Sequence, residues 1–118
     1  MVACNEHAEE TNMNIAIASN DGVNVNEHFG RATNFFIFEV HEETFNLVMV
    51  SKLDEPYAAE TKSHTFDNDK FMKIAEKLKL CQKVFITKIG DAPAKAFSKI
   101  GIDTIVYSGP ISEISIDP

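Results

Sequence analysis

The sequence predicts a single α/β domain in which helices flank a mixed five-stranded sheet. Two observations lead to this fold class. Three short segments rich in apolar and β-branched residues come first, and the last two are separated by only a few polar residues, as in a hairpin. The second half then alternates strand and helix patterns, which is typical of parallel strands joined by helices. The length of 118 residues fits one domain.

The chain is expected to begin with a flexible leader over residues 1–12, which lack hydrophobic periodicity and are rich in Glu and Asn. The folded domain is then expected to span residues 13–118. Its first strand is predicted at 14–19, an apolar segment that ends before the turn-forming pair Asp21-Gly22.

Two further strands are predicted at 34–40 and 45–53. The residues between them, 41–44, have the composition of a hairpin connection, which predicts that the two strands are antiparallel neighbours. From residue 54 to residue 68 the chain is polar and contains a proline, so we expect a long loop there.

An amphipathic helix is predicted at 69–80, with Asp67 or Asn68 as its N-cap. Its apolar residues recur at helical spacing: Phe71, Ile74, Ala75 and Leu78. The elements that follow are a buried strand at 83–87, a helix at 92–99 that ends at Gly101, and a strand at 103–107. Residues 111–116 fit either a last helical turn or an edge strand.

The composition excludes several classes of function. Eighteen acidic residues against eleven basic ones give a net charge of −7, which opposes binding to nucleic acids or anionic membranes through bulk charge. No apolar segment approaches the roughly 20 residues that cross a bilayer, and the first residues do not resemble a signal peptide, so we expect a cytoplasmic protein. Only Cys4 and Cys81 are available for disulfides, and no structural disulfide is expected between them.

The most specific pattern lies between residues 13 and 40: a strand, an Asp-Gly turn, the motif V-x-x-H-F-G-x-A and a second strand. This pattern resembles the opening of the dinitrogenase iron-molybdenum cofactor biosynthesis family, which includes NifX, the core domain of NafY and the C-terminal domain of NifB. The residues in register with the motif are Val25, His28, Phe29, Gly30 and Ala32. The similarity continues to the closing I-S-E-I segment, and the chain looks closest to the stand-alone NifX-like members.

The resemblance implies a ribonuclease-H-like fold and a protein that binds a metal cluster as cargo. The implied cargo is NifB-co, a later precursor, or the finished iron-molybdenum cofactor. The implied partners are NifB, the NifEN scaffold and apo-nitrogenase, between which the cargo would be carried. We do not expect the protein to be an enzyme, because carrying requires no bond-making chemistry.

The candidate site centres on His28. A neutral imidazole is an effective ligand for iron and molybdenum, and a loop between strands can present it at the surface. Phe29 is expected to anchor the loop in the core, and Gly30, which lacks a side chain and permits positive φ, to let a cluster approach the backbone. Arg31 and backbone N–H groups are candidates to offset the charge of an anionic cluster, and Glu27 to orient the imidazole.

Other candidate ligands are weaker. Cys4 and His7 form a C-x-x-H pair in the leader, but a pair does not complete a tetrahedral site. His64 lies in the predicted long loop, where the family often carries a polar residue near its site. Cys81 is expected to be buried as a small hydrophobe, and His41 to be a surface residue.

Two other classes of function stay open. A nuclease of the ribonuclease-H-like fold would hold two divalent ions with carboxylates on the sheet, but the first strand has no acid at its centre, which disfavours this class. A regulatory or protein-interaction module of the same fold, which binds no cluster, is the third class. Neither the cluster carried nor the oligomeric state follows from the sequence.

Overall fold

A computed structural model describes residues 12–41, 44–54, 57 and 68–114. The candidate site residues 27–31 thus lie inside the described residues, whereas most of the predicted long loop lies outside them. The strands are β1 (Asn12–Ala18), β2 (Asn24–Val25), β3 (Asn34–His41), β4 (Thr44–Lys52), β5 (Lys83–Ile86), β6 (Asp103–Val106) and β7 (Gly109–Pro110), and the helices are α1 (Asn68–Lys77) and α2 (Asp91–Lys99).

Five of these strands form the main sheet, in the order β4-β3-β1-β5-β6. β3 pairs antiparallel with both β1 and β4, and β5 pairs parallel with both β1 and β6. The α/β class, the mixed five-stranded sheet and the antiparallel hairpin are therefore confirmed, in agreement with the ribonuclease-H-like fold that the resemblance implied. The small ribbon of β2 and β7 was not predicted, because segments of two residues carry no periodicity.

The central strand β1 separates two hydrophobic clusters. Ala16 and Ala18 face one cluster, and Ile15 and Ile17 face the other, as the alternation of a strand requires. Both helices contribute to the first cluster, through Phe71, Ile74, Ala75 and Phe97, and Leu78 joins it directly after α1. The second cluster is closed by Ile111 and Ile114 next to the β2–β7 ribbon. Both helices therefore lie on one face of the sheet.

The ends of the helices follow from local backbone bonding. Gly101 has φ +86° and ends α2 as predicted: its N–H donates to the carbonyl of Ser98, and the N–H of Ile102 donates to that of Phe97. The residue before α2 is Gly90, so the carboxylate of Asp91 lies in the first turn without capping it. Within the described residues, neither helix is long and apolar enough to cross a membrane.

The segment after β7 resolves an alternative that the sequence left open. Ile111–Glu113 forms one turn of 3-10 helix, and the N–H of Ile114 donates to the carbonyl of Ile111. The turn is therefore helical up to residue 114, and residues 115–116 lie outside the described part. Residues 1–11 of the predicted leader lie outside it as well, and β1 begins at Asn12, the last residue of the predicted leader and two residues before the predicted strand.

Candidate functional site

The loop that carries the matched motif lies at the carboxyl ends of β1 and β5. The N–H of Asn26 donates to the carbonyl of Ala18, the last residue of β1, at 3.3 Å. The N–H of Thr87, directly after β5, donates to the carbonyl of Glu27 at 3.0 Å. Ligands of α/β proteins characteristically bind at the carboxyl ends of parallel strands. The loop therefore occupies the edge of the sheet at which a site is expected.

His28 presents an exposed imidazole from this loop. Its Nδ1 atom lies 2.5 Å from the hydroxyl oxygen of Thr87, whose side chain is half-buried. Because this contact occupies Nδ1, Nε2 is the ring nitrogen left for a metal. Thr87 was not among the candidates from sequence. The signal that points to it is its position as the polar residue that ends a buried parallel strand.

Residues 28–32 form a tight turn in which three of the N–H groups are already engaged. The N–H groups of Arg31 and Ala32 both donate to the carbonyl of His28 at 3.0 Å. The N–H of Phe29 donates to the carbonyl of Lys88 at 2.8 Å. These three donors are thus committed to holding the loop and are not available to a bound anion.

Gly30 lies inside this turn and is partly buried. Among the described glycines, positive φ occurs at Gly22, Gly101 and Gly109. Gly30 therefore does not use the left-handed conformation that the sequence allowed it. What it contributes beside His28 is the absence of a side chain.

Phe29 holds the turn against the helical side of the core. Its side chain is 1% exposed. Its ring centroid lies 5.2 Å from that of Tyr57, 5.6 Å from that of Phe97 and 6.4 Å from that of Phe35. The burial predicted for Phe29 is confirmed, and His28 is consequently attached to a residue that cannot move without opening the core.

Arg31 and Glu27 flank the imidazole differently. Arg31 is exposed at the end of the turn, where its guanidinium can reach a ligand from solvent. Glu27 is half-buried, and its carbonyl accepts the N–H of Thr87. The side chain in contact with the imidazole of His28 is that of Thr87, rather than the carboxylate of Glu27 that the sequence analysis considered.

The other candidate ligands do not join His28 in the described part of the chain. Cys81 is 4% exposed, and burial raises the pKa of its thiol to about 11, so it is a protonated core residue at neutral pH. His64, Cys4 and His7 lie outside the described residues. Within 12–41, 44–54, 57 and 68–114, no three His, Cys, Asp or Glu side chains are grouped closely enough to hold a metal ion.

The Asp21 loop beside the site is held by its own hydrogen bonds. One carboxylate oxygen of Asp21 accepts the N–H groups of Val23 and Asn24 at 2.8 and 3.0 Å and the hydroxyl of Ser19 at 3.0 Å. The backbone hydrogen bonds from Asn24 and Val23 lower the pKa of Asp21 to about 2. This carboxylate is committed to turn structure, as the sequence predicted for the Asp-Gly pair.

A basic cleft adjoins the aromatic anchor. Tyr57, which packs on Phe29, lines a cavity of about 140 Å³ together with Leu53, Asp54, Lys70, Lys73, Ile74 and Lys77. The three lysines are spaced along α1 so that they share one helix face. The sequence does not predict this cleft, since nothing in it places Tyr57 beside α1.

The chain matches proteins of nitrogenase cofactor biosynthesis. Residues 11–115 match the model of the dinitrogenase iron-molybdenum cofactor family. The chain is 30% identical over 99 residues to the FeMo cofactor biosynthesis protein NifB of Chlorobaculum tepidum, covering 84% of this chain and 22% of that protein. It is 31% identical over 91 residues to the NifB of Frankia alni, covering 77% and 18%. The chain thus spans about a fifth of the length of these curated relatives.

Two solved structures share the fold. The crystal structure of PH0822 superposes with a TM-score of 0.63 at 22% identity, covering 86% of this chain and 84% of the other. A crystal structure of a Methanocaldococcus jannaschii protein superposes with a TM-score of 0.53 at 16% identity, covering 84% and 79%. At these identities the likeness extends to the fold alone.

Proposed function

The chain belongs to the dinitrogenase iron-molybdenum cofactor family, and on this premise we propose that it binds and carries a nitrogenase cofactor or precursor, with His28 as its ligand to the cargo. The family takes part in the biosynthesis of that cofactor. The cargo is NifB-co or the iron-molybdenum cofactor, received from NifB and delivered to the NifEN scaffold or to apo-nitrogenase in the cytoplasm. The protein performs no bond-making chemistry and is not an enzyme.

The observation that carries this proposal is the setting of the His28 imidazole. The imidazole is exposed, and its Nδ1 atom is hydrogen-bonded to the hydroxyl of Thr87. The next residue, Phe29, is buried among aromatic rings. A ligand supported in this way keeps a fixed direction while its other nitrogen faces outward. This combination suits capture of a large metal cluster that could not enter a closed cavity.

A small number of protein ligands supports carrying rather than permanent storage. In the described residues, His28 belongs to no group of three or more His, Cys, Asp or Glu side chains that could hold a metal ion. A cluster held by few protein ligands dissociates faster than one whose coordination is completed by protein, and transfer depends on that dissociation rate. A carrier therefore benefits from the sparse donor set at this edge of the sheet.

Local positive charge supports an anionic cargo in a chain whose net charge is −7. Arg31 extends from the same turn as His28, and the cleft beside Tyr57 is lined by Lys70, Lys73 and Lys77. Cationic side chains near a desolvated anion strengthen its binding by charge-assisted hydrogen bonds. These side chains supply charge compensation that the N–H groups of Phe29, Arg31 and Ala32, which are engaged in the turn, do not.

A protein-interaction module that binds no cluster is the second candidate, and the edge strand β4 favours it. Leu47, Val48 and Met49 are consecutive in this strand and each is more than half exposed. Exposed apolar residues on a sheet edge are typical of surfaces that pair with another protein. A carrier that docks on its donor would need the same surface. Only a test of cargo binding therefore distinguishes the carrier from the interaction module.

Anaerobic titration of the purified protein with isolated NifB-co and with iron-molybdenum cofactor tests the proposal. Iron, and molybdenum for the finished cofactor, should co-elute with the wild-type protein on gel filtration and be lost from His28→Ala. His41→Ala, which removes an exposed imidazole from the end of β3, is the matched control and should retain the cargo. If the wild-type protein retains neither cluster, the interaction module is the correct class.

A further inference from the structure

The contact between His28 and Thr87 is fixed from both sides by the backbone. The N–H of Thr87 donates to the carbonyl of Glu27 at 3.0 Å, and the N–H of Phe29 donates to the carbonyl of Lys88 at 2.8 Å. These two bonds join the residues on either side of His28 to the chain at the end of β5. The backbone therefore holds Thr87 next to His28, and the hydroxyl of Thr87 lies beside the imidazole.

The chemistry of neutral imidazole makes this contact consequential. One ring nitrogen carries a proton and donates, while the other holds a lone pair and accepts. A metal binds only the nitrogen with the lone pair. If Thr87 donated to Nδ1, the proton would lie on Nε2 and the outward nitrogen could not bind metal. If Thr87 accepts from Nδ1–H, the lone pair lies on Nε2.

We propose that Thr87 is a positioning residue that accepts a hydrogen bond from Nδ1–H of His28 and so keeps Nε2 unprotonated toward the cargo. The identity of the cargo rests on the proposed function, whereas the tautomer is a property of the protein alone. Ligating histidines generally donate their second ring N–H to a protein acceptor, which fixes both tautomer and ring orientation. In the described structure, the hydroxyl oxygen of Thr87 is the atom placed to be that acceptor.

The tautomer of His28 in the cargo-free protein tests the proposal directly. Nitrogen NMR of the imidazole, recorded at a pH where the ring is neutral, distinguishes Nδ1–H from Nε2–H. Wild type and Thr87→Ser should carry the proton on Nδ1, and Thr87→Val should shift it toward Nε2, the form that a neutral histidine side chain prefers in water. A proton on Nε2 in the wild type, or an unchanged tautomer in Thr87→Val, overturns the proposal.

Cargo binding supplies the second readout. Thr87→Val should weaken retention of iron-molybdenum cofactor by about 10- to 100-fold, the usual effect of losing such a hydrogen bond. Thr87→Ser should restore it. Thr104→Val, which removes a half-buried hydroxyl from β6, is the matched control and should bind as the wild type does. Equal binding by Thr87→Val and wild type contradicts the positioning role. Failure of every variant and the wild type to bind contradicts the carrier function and leaves the tautomer result standing.

Discussion

Phe29 determines the position of His28, because the aromatic ring next to the proposed ligand is one of the most deeply buried among the described residues. Its contacts with Tyr57, Phe97 and Phe35 connect the motif turn to the strands and to α2. The sequence predicted this anchor correctly, since a single Phe in an otherwise polar loop is best explained by burial. The partners of the ring could not be predicted, because they come from distant parts of the chain.

Replacing Phe29 by alanine should lower the free energy of unfolding by about 3–5 kcal/mol, because a large cavity would be left among aromatic rings. Phe29→Leu fills part of that cavity and should cost less. Urea denaturation of the two variants beside the wild type measures both values. A loss below about 0.5 kcal/mol in Phe29→Ala, the range of ordinary surface substitutions, would show that the ring does not hold the turn.

The carboxylate of Asp21 should make the free energy of unfolding depend on pH in the acid range. Backbone hydrogen bonds lower its pKa from 3.8 to about 2, so the folded state favours the charged carboxylate. The resulting stabilisation is present above pH 3.8 and is lost as the pH falls toward 2, where the folded protein also binds the proton. The free-energy difference between wild type and Asp21→Asn should therefore shrink over this range. Asp91→Asn, an exposed carboxylate in the first turn of α2, serves as the control. A difference that stays constant from neutral pH to pH 2 would contradict this assignment.

At the scale of elements, the sequence predicted the positions of the turns better than the side-chain contacts made at those turns. The Asp-Gly pair identified the turn after β1, and Gly101 identified the end of α2, because both use the left-handed conformation that glycine adopts freely. The sequence did not indicate that Gly22 is also packed. A Cβ atom at that position would lie 2.7 Å from Cε2 of Phe36, whereas one at Gly101 would meet no atom within 4 Å.

Gly22→Ala should therefore destabilise the protein more than Gly101→Ala. Both substitutions place a side chain at positive φ, which costs about 1–2 kcal/mol. Gly22→Ala adds an overlap with a core ring, for which overpacking costs are about 1–3 kcal/mol. Urea denaturation of the pair isolates the steric contribution, since the conformational cost is common to both. Equal losses would mean that the ring of Phe36 moves aside freely.

At the scale of the whole molecule, periodicity predicted the sheet and the helices because the inner strands β1, β3 and β5 are buried on at least one face and each helix is amphipathic. Periodicity could not predict that both helices lie on one face, or that β2 and β7 pair, because these depend on contacts between distant segments. For the same reason His28 could be singled out from its motif and Thr87 could not. The two residues are far apart in the chain and meet only where β1 and β5 end together.

The central claim is that the imidazole of His28 ligates the cargo, and pulsed electron paramagnetic resonance of the loaded protein tests it most directly. Two samples of the protein, whose histidines carry one or the other stable isotope of nitrogen, are loaded anaerobically with iron-molybdenum cofactor. Direct ligation predicts a nitrogen coupling to the cluster that changes with the isotope and disappears in His28→Ala. A cluster that stays bound to wild-type protein without any isotope-sensitive coupling, or a coupling that survives in His28→Ala, would contradict the account.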